Sequence, residues 1–192
     1  LGDLTIALQV DGKRLATGGT SNSGVSSDFA TVRYNASGEL DTSFGTLGVV
    51  TTSFGAYRDT ARSVTVQGDG KILVAGRADR GSVSTYDYDF ALARYNTDGS
   101  LDASFGAGGK VATAFGSGRT DWGNSVTVQR DGKILVGGSS NSDFALARYV
   151  ADGTLDAGFG TNGRVITTVG SFGNGGSVIQ QPDGKILLAG YG

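Results

Sequence analysis

An all-β fold is predicted for this 192-residue chain by three observations. The sequence returns four times to Asp-Gly-Lys followed by an apolar run, at Asp11, Asp69, Asp131 and Asp183, spacings of 58, 62 and 52 residues. Around each of these pairs the apolar residues alternate, the period of a strand with one buried face. Gly supplies 34 residues against a single Pro, which breaks every window long enough for a helix and serves tight turns. Self-similarity at a fixed period outranks any local signal, since it sets the architecture of the whole chain.

Each unit reads as four short strands. In the clearest copy the first is Ser63-Val64-Thr65-Val66-Gln67, closed by the Asp69-Gly70 turn and followed by a second strand from Lys71 to Ala75. Alternation, then Asp-Gly, then a second apolar run is a strong hairpin signal. The third strand runs Asp89 to Tyr95, matched by Asp28 to Tyr34 and Asp143 to Tyr149. One face of it carries Phe90, Leu92 and Arg94, the other Asp89, Ala91, Ala93 and Tyr95. A large face behind a small one suits sheets that stack closely on both sides. The fourth strand spans Lys110 to Gly116, matched by Val49 to Gly55 and Arg164 to Gly170. Four-stranded units repeated radially leave only short, protected edges, so the predicted architecture is a β-propeller. A β-trefoil, also built of three four-stranded units, is the alternative. The whole chain, 1–192, is expected to form one propeller segment, with units at 4–55, 63–116 and 125–170 and a terminal hairpin at 177–190. Because it opens and stops inside the pattern, the expectation is a segment of a longer repeat protein, or a homo-oligomer completed by partner chains.

Composition excludes several function classes. The net charge is −2 and the basic residues are scattered, so the electrostatic footprint of a nucleic-acid binder is missing. No apolar run approaches the length of a membrane-spanning helix. Cys, His and Met are all absent. That removes Ser-His and Cys-His nucleophilic catalysis, and zinc sites built on imidazole or thiolate.

The unit Ser-Val-Thr-Val-Gln-x-x-Asp-Gly-Lys-Ile-Leu-Val-Ala-Gly, then Asp-Phe-Ala-Leu-Ala-Arg-Tyr-Asn-x-Asp-Gly-Ser-Leu-Asp-x-Ser-Phe-Gly, resembles the delta-60 repeat of bacterial proteins across residues 4–190. Departures are Arg14 for the usual Ile, Ser37 for the turn Asp and Val150 for Asn. The resemblance implies a propeller-like fold and a secreted or cell-surface setting. It brings no catalytic residues.

Two recurrent patterns carry chemistry. Asn96, Asp98 and Asp102, with Asp152 and Asp156 in the next unit, space oxygen atoms somewhat as a calcium loop does. The run is shorter than an EF-hand loop and lacks its terminal Glu, and Asp and Asn at such places commonly cap their own turns. No cofactor is therefore expected, with calcium as the alternative. Arg33, Arg94 and Arg148 recur inside apolar strands, with Asp41, Asp102 and Asp156 eight residues later. Buried guanidinium groups need carboxylate partners, and recurrence in every unit favours a structural pair over a site.

Features that break the repeat are better site candidates. The loop after the second strand has 8 residues at 20–27, 12 at 77–88 and 4 at 139–142, and insertions in repeat proteins tend to gather on the binding face. The long loop holds Arg77, Tyr86 and Tyr88. The connections between units add Tyr57 and Arg58, then Arg119 and Trp122, the only Trp, which is a sugar-stacking platform or a ring packed over a blade edge. Paired carboxylates among Asp59, Asp79, Asp87 and Asp121 could hydrolyse or cleave glycans without His, but nothing sets two of them at a catalytic distance. The expected function is a non-catalytic module binding a glycan or protein ligand. The alternatives are a carbohydrate-active hydrolase or lyase, and a purely structural self-assembling subunit.

Overall fold

The structure, a computed structural model, describes residues 5–20, 26–55, 57–81 and 87–192. Blade 1 comprises β1 (Thr5–Leu8), β2 (Arg14–Gly19), β3 (Phe29–Tyr34) and β4 (Val49–Thr52). Blade 2 comprises β5 (Thr60–Val66), β6 (Ile72–Asp79), β7 (Tyr88–Tyr95) and β8 (Lys110–Thr113). Blade 3 comprises β9 (Asp121–Val128), β10 (Ile134–Ser140), β11 (Asp143–Tyr149) and β12 (Arg164–Thr167). A final hairpin pairs β13 (Asn174–Gln180) with β14 (Ile186–Tyr191). Every sheet is an antiparallel meander in chain order. Such sheets stacked face to face make a propeller, whereas a trefoil would pool its hairpins into one barrel.

The first strand of each blade is the innermost. β5 lies against β1 and β9, and β9 against β13. Ser63 Oγ accepts the amide of Val126 across the blade boundary at 3.1 Å, and Ser125 Oγ accepts that of Val178 at 3.1 Å. The short strands β4, β8 and β12 form the outer edge.

Two element lengths differ from the sequence-based expectation. The second strand of blade 2 continues to Asp79, because β7 pairs with it as far as Asp79↔Tyr88. The fourth strands stop early, at Thr52, Thr113 and Thr167. Beyond them the chain leaves the edge to cross to the next blade, and a buried carboxylate captures the crossing. Asp121 Oδ2 accepts the amide of Phe115 at 2.7 Å, and Asp59 Oδ2 accepts that of Phe54 at 2.5 Å.

The two-sided third strand packs as its alternation predicts. Ala91, Ala93 and Tyr95 face blade 1 with Leu15 and Phe29, while Phe90 and Leu92 face blade 3 with Ile134 and Val136. Tyr95 donates its hydroxyl to Thr52 Oγ1 of the preceding blade at 2.7 Å, and Tyr149 does the same to Thr113 at 2.9 Å.

At the outer, lower part of each blade sits a clamp of three charged side chains. Arg94 Nε donates to Asp102 Oδ2 at 2.8 Å, and Lys71 Nζ reaches the same oxygen at 2.9 Å. The guanidinium lies 4.4 Å above the fully buried Phe105 ring and donates to the Ala151 carbonyl of the next blade at 2.5 Å. Blade 1 repeats this with Arg33, Asp41, Lys13, Phe44 and the Thr97 carbonyl. Blade 3 repeats the ion pairs with Arg148, Asp156 and Lys133.

Removing one member of a buried pair strands the other charge. Arg94→Ala is therefore expected to cost about 3 kcal/mol in denaturant unfolding. Arg148→Ala should cost less, since its side chain is 19% exposed against 7% for Arg94. Equal losses would contradict this account.

Candidate functional site

The repeats agree where they pack and disagree at one end of the inner strands. Leu15, Leu73 and Leu135 occupy one core position and are all fully buried. At the opposite end from the Asp-Gly turns, three equivalent cross-strand pairs are Thr60·Arg77, Trp122·Ser139 and Asn174·Tyr191. Blade 1 has Gly19 in the second of these slots. The backbone is the same in each blade while the side chains differ, so packing does not fix their identity.

Close backbone approach builds this rim. A Cβ on Gly76, Gly138 or Gly190 would overlap the carbonyl oxygen of Thr60, Trp122 or Asn174 respectively. The neighbouring inner strand bulges at the same level, leaving Arg62, Asn124 and Gly176 as the extra residues. A bulge re-aims side chains at a sheet edge. Here it turns Arg62 toward Trp122, with the guanidinium carbon 5.1 Å from the ring centroid. Asn124 Nδ2 donates to Asn174 Oδ1 at 2.8 Å, joining blade 3 to the last hairpin, and Asn174 Nδ2 donates to the Tyr191 hydroxyl at 3.1 Å.

Trp122 is the centre. It meets Tyr88 edge to face at 6.5 Å, and Arg77 lies 4.5 Å from its ring and 4.3 Å from the Tyr88 ring. Burial lowers the pKa of Arg77, and the positive charges of Arg62 and Arg58 push it the same way. Its Nε and the Trp122 Nε1 are both sealed from solvent without a hydrogen-bond partner. On the other side Trp122 lines a cleft of about 450 Å³ with Thr120, Asn141, Phe172, Asn174 and Tyr191, and every lining residue is uncharged. Phe172 and Tyr191 are 74% and 70% exposed there.

A larger cleft of about 720 Å³ opens at the opposite end between blades 1 and 2. Its Arg33 and Thr97 belong to the repeated clamp, so it restates the architecture instead of departing from it.

Of the residues singled out in the sequence, Arg77, Tyr88 and Trp122 come together. Arg77 and Tyr88 lie on strands β6 and β7, not in a loop, because the β6–β7 pairing extends to Asp79↔Tyr88. Tyr88 is only 5% exposed, so it supports Arg77 and Trp122 from behind. Arg58 is exposed in the crossing before β5, bridged to Ser27. Tyr57 beside it is half-buried and makes no ring contact with the cluster among the described residues. Arg119 is committed elsewhere, donating to Ser140 Oγ at 2.7 Å and pairing with Asp143 at 3.2 Å. Tyr86 lies outside the described residues. Sequence reasoning missed Arg62, Phe172, Asn174 and Tyr191. Comparing the repeats slot by slot, and asking where identity changes on a constant backbone, would have found them.

The side chains of the calcium pattern have protein partners. Asp98 Oδ1 accepts the Ser100 amide at 2.9 Å, Asn96 Nδ2 donates to Ser100 Oγ at 2.9 Å, and Asp102 is held in the clamp. Asp152 caps Thr154 at 2.8 Å, and Asp156 pairs with Arg148 and Lys133. Among the described residues no three His, Cys, Asp or Glu side chains gather in a way that could hold a metal ion. Three of the carboxylates considered for glycan cleavage accept backbone amides, although Asp121 Oδ1 has no partner among the described residues. Asp59 and Asp121 are fully buried on backbone amides, and the 3%-exposed Asp79 accepts the Gly81 amide at 3.0 Å.

The sequence signature of the family described as a domain of unknown function (DUF5122) beta-propeller matches residues 9–44, 67–105 and 129–159. A solved structure, a protein of unknown function from Bacteroides caccae, is similar with a TM-score of 0.56 at 13% identity. The similarity covers 96% of this chain and 52% of that one, so this chain spans about half its length and the likeness concerns the fold. No curated protein matches this chain.

Two sets of carboxylates give stability a maximum in pH. Burial raises Asp89 to about 6, helped by Asp121 and Asp87 and opposed by Arg80, and burial also raises Asp59 and Asp121. The folded state thus binds more protons than the unfolded state between about 6 and the ordinary 3.8, and stability rises as pH falls through that window. Asp102 and Asp41 are lowered instead, chiefly by hydrogen bonds from Lys71 and Ser43. Their contribution is present above 3.8 and is lost as pH falls further, toward their low folded values. Urea unfolding across pH should therefore peak between 4 and 6, and Asp89→Asn should flatten the higher-pH limb. A monotonic rise to pH 7 would contradict the assignment.

Proposed function

The chain belongs to this β-propeller family of unknown function, and on that premise we propose that it is a non-catalytic binding module. The finer kinship is with the delta-60 repeat, and the setting is the surface or exterior of a bacterial cell. The observation that carries the reading is the rim. Three equivalent cross-strand pairs hold different side chains on one backbone, and the middle pair places a half-buried Trp beside an uncharged cleft. Aromatic rings with amides and hydroxyls around them suit a sugar, whose apolar faces stack while its hydroxyls hydrogen-bond. The engagement of Asp59, Asp79 and Asp121 by backbone amides supports binding over hydrolysis.

Because Trp122 is the only Trp, emission excited selectively at tryptophan reports this site alone. Titration with an oligosaccharide panel is expected to shift the emission. By calorimetry, Trp122→Ala should weaken the same ligand about tenfold or more, with the far-ultraviolet circular dichroism unchanged. Binding that survives the substitution would move the site elsewhere.

A second reading, self-assembly through the end faces, is favoured by one comparison. Leu187 is 46% exposed where Leu15, Leu73 and Leu135 are fully buried, and Ile6 is 63% exposed where Val64, Val126 and Val178 are at most 6%. Each end thus presents one half of the interface that repeats between blades, and a second copy stacked head to tail would cover both. Light scattering over a concentration range should then give a mass above 19.5 kDa. A stable monomer at every concentration would rule this reading out.

A further inference from the structure

We propose that the rim binds an anionic saccharide, with its carboxylate or sulfate on Arg77 and an adjoining uncharged sugar residue in the Trp122 cleft. This rests on the reading of the rim as a binding site and names the ligand class. The rim has two chemically distinct halves that share one indole. On the blade 2 side stand Arg77, Arg62 and the exposed Arg58. On the side of the last hairpin the cleft holds only uncharged groups.

Arg77 lacks the carboxylate partner that the clamp arginines have among the described residues. The clamp arginines Arg33, Arg94 and Arg148 each meet a carboxylate at 2.8–2.9 Å. Arg77 is enclosed by two aromatic rings, meets no carboxylate within ion-pair distance among the described residues, and leaves Nε unpaired. A half-buried cation without a partner is costly, and a clamp residue would have kept one. Its slot is also the variable one, Gly19, Ser139 and Tyr191 in the other blades, so packing does not require an arginine there. A guanidinium is a planar set of donors that matches a carboxylate or a sulfate ester. Arg62 and Arg58 place further positive charge near Arg77, opposed by Asp79. Ring packing on Tyr88 and Trp122 orients the group before a ligand arrives, which reduces the ordering that binding must impose.

The chain is titrated, with Trp122 emission as readout, against trisaccharides in which one galacturonate, glucuronate or mannuronate residue adjoins neutral sugars. Each is paired with its methyl ester, and 6-sulfated galactose trisaccharide is added as the sulfate arm. At least one acid or sulfated probe is expected to bind about tenfold more tightly than its uncharged counterpart. Raising salt from about 50 to about 500 mM should weaken the charged probe and leave the ester unaffected. Arg77→Gln should bring the ratio of acid to ester affinity close to one. The tighter arm identifies carboxylate or sulfate. Equal binding of acid and ester by the unaltered chain overturns the anionic subsite and leaves the rim reading intact. A probe set that never moves the Trp122 emission overturns both. The salt series needs no variant, so a misfolded Arg77→Gln protein would not obscure the result.

Discussion

The structure depends on a buried guanidinium that serves two blades at once. In blades 1 and 2, a strand arginine is neutralised by the carboxylate eight residues later, which also takes the Lys of the Asp-Gly-Lys turn. The guanidinium then donates to a backbone carbonyl in the next blade. A guanidinium taken out of water must fill its donors or lose more than it contributes. The chain meets that demand by making the next blade a required partner. The following turn reinforces the arrangement: Gly45 and Gly106 amides donate to the carbonyls of Asp98 and Asp152, and Gly99 and Gly153 lie directly over Phe44 and Phe105.

This dependence separates scaffold from site. The clamp, the Phe beneath it and the tyrosine hydroxyl that reaches back to the preceding blade recur with the same partners, because each contact is shared between neighbours. A change in one blade would have to be matched in the next. The far end of the inner strands carries no such coupling. There the bulge and the Gly under each inner carbonyl fix the backbone, while the side chains project to the rim and can differ. The molecule thus holds variable chemistry on an invariant frame, the arrangement that lets one repeat serve many ligands.

The rim also shows why burial and function are not opposed here. Tyr88 and the Nε of Arg77 are buried, yet they belong to the candidate site because they set the position of Trp122. Aromatic packing around a cation is stiff, and stiffness placed beside an open cleft lowers the cost of ordering a ligand.

Much of this was legible in the sequence. The Asp-Gly hairpins, the strand alternation and the spacing of Arg94 to Asp102 follow from local geometry, where period and turn chemistry act over a few residues. The blade count, the two-faced third strand and the Arg–Asp pairs could be read for that reason. Lys71 as the third member of the clamp was not, although it recurs in every turn, because its partner Asp102 lies 31 residues away and only the fold brings them to 2.9 Å. The same holds for the rim. Arg77, Trp122, Phe172 and Tyr191 sit on four different segments, and no local period connects them. The sequence by itself determined the repeating unit and its strands. Tertiary structure alone decided which departures from the repeat meet, because stacking successive blades places residues about fifty positions apart side by side.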